Sequence, residues 1–403
     1  YHQGASFAGS AAGGALSSMF WNSAAAAFAP GGIYMESNYS LILGNVEITG
    51  DAFAGGANLG LPRDSDNIAK PAVVPASYSS IRLSDSLVFA LGVNAPFGLV
   101  TEPSNRFWAG QTFARTSEIK TYNFNPVLAY RITSALAVGV GLQIQHIEGR
   151  LKSASGITPN SLNLVIKGDD TAFGYTIGMM YTPTPNTTIG LGWRSSIDHT
   201  LEGTVSIPGS PVAPAASGAA IKAGTTLPDI VTLSLRQVIT NQLTLLGTVE
   251  WSRWSNVTGL TVRCANTLPN PVFCPGGNGQ TVRRLELGWH DGWFFALGAE
   301  YAANERTTLR FGVAYEKSPI HDPDERSLRV PDTDRLWVSV GGTYRWSEMM
   351  TFDVAYSHIF GIGDDAIDRT EGGLRFIGNV DANVDILSVG ARIKLGAPPA
   401  PLK

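Results

Sequence analysis

Histidines, cysteines and serines are the residues through which this chain could do covalent, acid–base or metal chemistry. Ester hydrolysis would need a nucleophilic serine, a histidine and an orienting amide or acid within reach. His146, His199, His290, His321 and His358 are scattered instead, and no Gly-x-Ser-x-Gly elbow presents a nucleophile. Nothing assembles a triad, so we expect no enzyme and no cofactor. Cys264 and Cys274 flank a turn-rich stretch with Pro269, Asn270 and Pro271. In an exported protein such a pair forms a local disulfide more often than a metal site. No His or acidic cluster sits at ligand spacing beside them, so the expectation is a Cys264–Cys274 disulfide and no metal. The net charge of −4 offers no basic surface for nucleic acid.

The elements that position these residues are strands. Only 15% of the 403 residues are charged, while Gly (45) and Pro (23) are abundant. A soluble α/β enzyme of this size carries more charge. The apolar period is two almost everywhere after residue 32. Leu243, Leu245, Gly247, Val249 and Trp251 share one face, with Thr244, Leu246, Thr248, Glu250 and Ser252 on the other. The segments from Thr308 and from Leu387 alternate in the same way.

Soluble sandwiches also alternate, so the connections decide. Strands read near 33–48, 73–83, 86–97, 118–132, 134–150, 171–183, 187–206, 226–239, 242–254, 292–302, 306–316, 334–346, 349–360 and 384–395. The links between them alternate strictly. Tight ones such as Ser84-Asp85, Thr240-Asn241 and Ser347-Glu348 alternate with long ones: 49–72, 98–117, 151–170, 207–225, 255–291, 317–333 and 361–383. That rhythm with an even strand count is the pattern of an outer-membrane barrel, short turns periplasmic and long loops outside. Aromatics toward strand ends (Tyr130, Tyr181, Trp251, Trp254, Tyr301, Tyr344, Trp346) suit interfacial girdles, although aromatics favour strands anyway. The fold class is therefore all-β, a 14-stranded antiparallel transmembrane barrel over 32–395.

The uncharged stretch from Gly4 to Met35 is too rich in small and polar residues to span a membrane as a helix. Only His2 precedes it, so it lacks the basic start of a signal peptide and reads as mature, exported protein. Fourteen strands enclose a lumen that passes water unless filled. Both chain ends of an even-stranded barrel lie on the periplasmic side, so residues 1–31 are expected to fold into the lumen as a hatch or plug. Pro96, in Asn94-Ala95-Pro96-Phe97-Gly98, cannot donate to a ladder. Either the wall is interrupted there, or the strand ends at Asn94 and Pro96 opens the loop.

Several motifs together resemble one family. Leu328-Arg-Val-Pro-Asp-Thr-Asp-Arg-Leu-Trp337, Leu227-Pro228-Asp229, Trp251-Ser-Arg-Trp254 and Ala95-Pro-Phe-Gly98 follow, in order, the pattern of the FadL family of outer-membrane channels for long-chain fatty acids or aromatic hydrocarbons. The resemblance implies an N-terminal hatch, an apolar pocket beside it, and a kinked third strand through which ligand leaves sideways into the membrane. Asn22-Ser23-Ala24 stands where that family has Asn-Pro-Ala, and the chain begins partway into the usual hatch. Residues 396–403 follow the last strand as a tail where the family stops at an aromatic.

Matching strand ends places Arg150 and Lys152 near one ligand-binding position and Arg284 or His290 near another, with Phe97 at the pocket. The family's basic pair is not reproduced residue for residue, which favours a neutral hydrocarbon. The implied partners are a hydrophobic small molecule or fatty acid, and outer-membrane lipid and lipopolysaccharide around a monomeric barrel. The competing reading is a receptor or adhesin barrel whose external loops bind partners.

Overall fold

The structure, a computed structural model, describes residues 1–212, 215–266 and 269–396. Beyond Gly396, the expected tail lies outside the described residues. After Gly32 the described chain forms a closed barrel of 14 antiparallel strands. They are β1 (Ile33–Ala54), β2 (Ala72–Arg82), β3 (Leu87–Asn94, resuming as Gly98–Thr101), β4 (Thr116–Arg131), β5 (Leu136–Ala154) and β6 (Asn163–Thr184). β7 is Thr187–Arg194 with Ile197–Ser206, β8 is Ala219–Leu227 with Ile230–Val238, and β9 is Leu243–Ser252. β10 (Gly292–Ala302), β11 (Thr307–Lys317), β12 (Asp334–Arg345), β13 (Met350–Ile362) and β14 (Leu374–Leu395) complete the wall. Each strand pairs with the next, and β1 closes on β14 from Ile33↔Leu395 to Ala54↔Leu374.

Some strands run farther than their alternation indicates. β1 continues to Ala54, β6 begins at Asn163 and β14 at Leu374. Above the membrane both faces of a strand can be polar, so the period fades while the hydrogen-bonded ladder persists. β7 and β8 are each broken where one continuous strand reads from the sequence. Pro228 offers no N–H, and the Asp229 carboxylate accepts from Ser196 N (3.0 Å) and Trp193 Nε1 (3.2 Å), so the two breaks lie side by side.

The burial pattern is inverted relative to a soluble protein. Leu128, Val140, Phe173, Ile177, Leu233, Leu297, Phe311, Val338, Val354 and Val389 point outward and are exposed. Inward positions are polar or small and buried: Asn123, Gln143, Thr176, Ser234, Thr248, Ser339 and Ser357. An apolar belt outside and a polar lumen inside suit a wall standing in hydrocarbon. No helix among the described residues is long and apolar enough to cross a membrane.

Residues before the first strand fold as four short 3₁₀ helices, His2–Ala5, Ser10–Ala12, Leu16–Phe20 and Ser23–Phe28. Their backbone groups bond to strands all round the barrel. Gly9 N donates to Thr248 Oγ1 of β9 (2.9 Å), and Ala11 N to Ser234 Oγ of β8 (3.0 Å). Leu16 N donates to the Glu36 carboxylate of β1 (2.9 Å), while Arg131 of β4 and Arg194 of β7 donate to Ala27 O and Phe20 O (both 2.9 Å). A segment with partners on β1, β4, β7, β8 and β9 can only lie within the lumen. Small residues on both sides make this possible. At Gly178 and Gly192 a Cβ would overlap Asn22 and the Trp21 carbonyl, so side chains there would push the segment off the wall.

Candidate functional site

An apolar cavity of about 660 Å³ lies between this N-terminal segment and the long loops. That size fits a small-molecule site, typically ~300–1,000 Å³. Its floor is Phe7 and Trp21 of the N-terminal segment, and one wall is Pro96, Phe97 and Gly98. Phe7 holds φ of 62°, a left-handed conformation that is costly for an aromatic residue. Two sets of tilted or edge-to-face rings line the space. Phe7 packs against Trp21 (5.6 Å between centroids) and Trp337 (5.9 Å), and Trp337 meets Phe294 (6.1 Å). On the other side Phe97 meets Trp254 (5.8 Å), which meets Trp289 (5.6 Å). Such contacts are favourable for aromatic rings and leave their faces for an apolar guest.

The wall is incomplete beside Phe97. β2 pairs with β1 along Ala72–Ile81, but with β3 only from Ser77↔Val93 to Arg82↔Val88. The next link, the isolated bridge Ala69↔Thr101, lies well above. Between these limits Ala72–Ala76 and Asn94–Gly98 flank a window. Pro75, which has no N–H, stands in the one-sided stretch of β2, a position the sequence reading missed. Asn94 is buried, whereas Gly98 is exposed. Around Pro96 the strand stops at Asn94↔Asn123 and resumes at Gly98↔Lys120 on β4. Phe97 keeps its backbone satisfied through Thr121, whose Oγ1 accepts from Phe97 N (2.9 Å).

Of the five residues that sequence matching placed at the ligand (Arg150, Lys152, Arg284, His290 and Phe97), only Phe97 lines the cavity. Arg150 is exposed, and Lys152 contributes only its carbonyl near the site, accepting from Arg115 N (2.9 Å). Arg284 pairs with Glu286 (3.0 Å) on the outer surface. His290 faces Glu325 (3.1 Å). Strand-end matching gives the position of these four along the chain but not the direction of their side chains: Arg150 and Lys152 lie near the upper end of β5, and Arg284 and His290 in the long link before β10. Four cations line the cavity, Lys167, Lys317, Arg329 and Arg335. Lys317 and Arg335 are engaged by carboxylates, Lys167 is exposed, and Arg329 lies inside the recognised Leu328–Trp337 motif. Arg329 is buried, and its Nη1 donates to Thr116 O (3.1 Å), Ser117 Oγ (3.3 Å) and Lys152 O (3.2 Å), with no carboxylate among these partners. Burial, with Arg283 nearby, pulls the guanidinium pKa below its ordinary value.

The other charged residues of that motif hold the loop in place. Asp332 accepts from Ser318 Oγ (2.7 Å) and pairs with Arg335 (2.8 Å), while Asp334 accepts from Ser318 N (2.9 Å) and Lys317 (3.2 Å). Trp251 donates to Asp291 (3.0 Å), tying the end of β9 to the start of β10. Asn22 caps the last 3₁₀ helix, accepting from Ala24 N (3.0 Å) and donating to Met179 O (2.9 Å). Ser23 takes the first helical position, where Pro is favoured because its missing N–H would be unpaired anyway. Its hydroxyl donates to Thr176 (2.7 Å). Cys264 and Cys274 are joined, with an S–S distance of 2.06 Å, in the long link between β9 and β10.

A closed barrel with an apolar belt, an occupied lumen and an apolar cavity above the filling is an outer-membrane transport barrel rather than an open diffusion pore. Residues 2–395 match the family described as outer membrane protein transport protein (OMPP1/FadL/TodX), and the chain belongs to that family, in the outer membrane of Gram-negative bacteria. A long-chain fatty acid transport protein of Escherichia coli is 25% identical over 369 residues, covering 83% of this chain and 77% of that protein. The crystal structure of a Pseudomonas aeruginosa FadL homologue superposes with a TM-score of 0.85 at 23% identity, covering 98% of both chains. The Ralstonia pickettii toluene transporter TbuX shares the fold at a TM-score of 0.68 and 16% identity, over 98% of this chain and 97% of that one.

Proposed function

We propose that the chain carries a hydrophobic small molecule, a long-chain fatty acid or an aromatic hydrocarbon, passively inward across the outer membrane. The ligand enters between the long loops and rests in the cavity above the N-terminal hatch. The hatch shifts, and the ligand leaves sideways between β2 and β3 into the lipid. The observation that carries this reading is the cavity's contact with both the hatch, through Phe7 and Trp21, and the window, through Pro96, Phe97 and Gly98. The names of the relatives, one a fatty-acid and one a toluene transporter, support the substrate class. An unpaired backbone edge costs several kcal/mol in hydrocarbon unless it lines a cavity or protein, which supports a window facing the pocket. Arg329 is the group that would receive a carboxylate, while a neutral hydrocarbon would use only the rings. The barrel would act as a monomer, with lipid and lipopolysaccharide around its belt.

The test is a cross-link across the window. Cysteines at Ala76 and Ala95, joined by a short bis-maleimide, should abolish uptake of oleate and of toluene while the barrel keeps its heat-modifiable migration on a gel. Uptake that survives complete cross-linking would route the ligand through the periplasmic mouth instead.

A further inference from the structure

We propose that His290, Asp322 and Glu325 form a binding site for one divalent transition-metal ion of the zinc class on the external loops. Their ligand atoms lie within 4.8 Å of one another. Tetrahedral zinc holds N and O donors at ~2.0–2.2 Å, hence roughly 3.4 Å apart, so modest side-chain rotations close the set and leave water for the fourth position. Two of the three donors, Glu325 and His290, are already aimed. The Glu325 Oε2 atom is fixed by the backbone N–H groups of His321 (3.0 Å) and Asp322 (3.3 Å). That leaves Oε1, which faces His290 Nε2 at 3.1 Å. The His290 ring is held flat against His321, with centroids 4.2 Å apart and planes 6° from parallel. The backbones are joined as well, since His290 N donates to Pro319 O (2.8 Å). Two cations of this loop are engaged elsewhere, Lys317 by Asp334 and Arg326 by the carbonyls of Asp332, Asp364 and Ala366.

The chemistry selects the ion class. Calcium and magnesium take oxygen ligands, six or more for calcium. One imidazole with two carboxylates suits zinc, nickel or copper. The residues come from two separate loops, the lead into β10 and the link between β11 and β12. These also supply Trp289, Pro319 and Ile320 to the cavity wall, so the metal would clip together two parts of its roof. The ion pair His290–Glu325 without any metal is the competing account of the cluster.

The purified full chain in detergent, stripped with a chelator and titrated with zinc chloride in a calorimeter, distinguishes the two. One equivalent should bind. His290→Ala and Asp322→Asn should each weaken binding at least about tenfold, since even an outer-shell loss costs that much, and His146→Ala should not. Asp322→Asn guards against misfolding, because Asp322 is held through its backbone, its N–H donating to Glu325 Oε2 (3.3 Å) and its carbonyl accepting from Glu325 N (3.1 Å), and gel migration checks the barrel. Absence of stoichiometric zinc binding, or binding unchanged in both variants, would leave an ion pair only and overturn the site. Calcium binding as tightly as zinc would equally overturn it, since the imidazole would then not be a ligand. None of these readings depends on hydrocarbon uptake.

Discussion

Arg329 separates the two substrate chemistries. Its guanidinium is buried beside the cavity with backbone carbonyls and one hydroxyl as partners. A charge-assisted hydrogen bond is worth ~1.5–3 kcal/mol, roughly ten- to a hundredfold in affinity. Arg329→Gln should therefore weaken oleate binding by about that factor and leave toluene binding nearly unchanged, as followed by quenching of the cavity tryptophans. An equal loss for both would mean that Arg329 shapes the cavity without meeting a carboxylate. This residue sits inside a motif that was legible in the sequence, yet its role was not. Arg150, Lys152, Arg284 and His290 were as basic and as near to strand ends. Nothing in a one-dimensional pattern says which of these cations turns toward the cavity.

At the scale of elements, the N-terminal segment and the strands it touches are matched through small residues. Gly192 of β7 lies against the Trp21 carbonyl, and Gly178 of β6 against Asn22. A larger side chain must displace one side or the other, and overpacking of this kind costs ~1–3 kcal/mol. Gly192→Leu should loosen the segment rather than the wall. With a trypsin site introduced by Gly31→Arg in both backgrounds, limited digestion and mass spectrometry should show earlier release of the N-terminal peptide from the Gly192→Leu variant, while heat-modifiable migration is kept. Unchanged digestion would mean that the segment is anchored elsewhere. The strands themselves were legible because lipid outside and a polar lumen inside impose period two on every crossing. Their upper extensions and the breaks in β7 and β8 were not, since above the membrane no such contrast exists.

For the whole molecule, the proposed selectivity rests on the filling of the lumen. The segment's bonds reach β1, β4, β7, β8 and β9, so it spans the lumen rather than lining one side. Deleting residues 2–29 should give a large, steady conductance in a planar bilayer, whereas the intact chain stays closed. A deletion that leaves conductance unchanged would assign the block to the external loops. The deletion should also remove the Phe7 and Trp21 floor of the cavity, so oleate binding should fall with it.

Alternation, the short and long links, and the scarcity of charge determined by themselves that this chain is a barrel in a membrane. These features follow from the solvent on each side of the wall, which acts on every residue separately. Pro96 raised the possibility of an interrupted wall, but Pro75 joined it only when β1, β2 and β3 came together. The window is a missing pairing, and a pairing belongs to two strands at once. The cavity, the inward turn of Arg329 and the meeting of His290 with Asp322 and Glu325 were likewise decided in three dimensions. Each depends on loops from distant parts of the chain packing over one lumen, and loop crossings leave no period in a sequence.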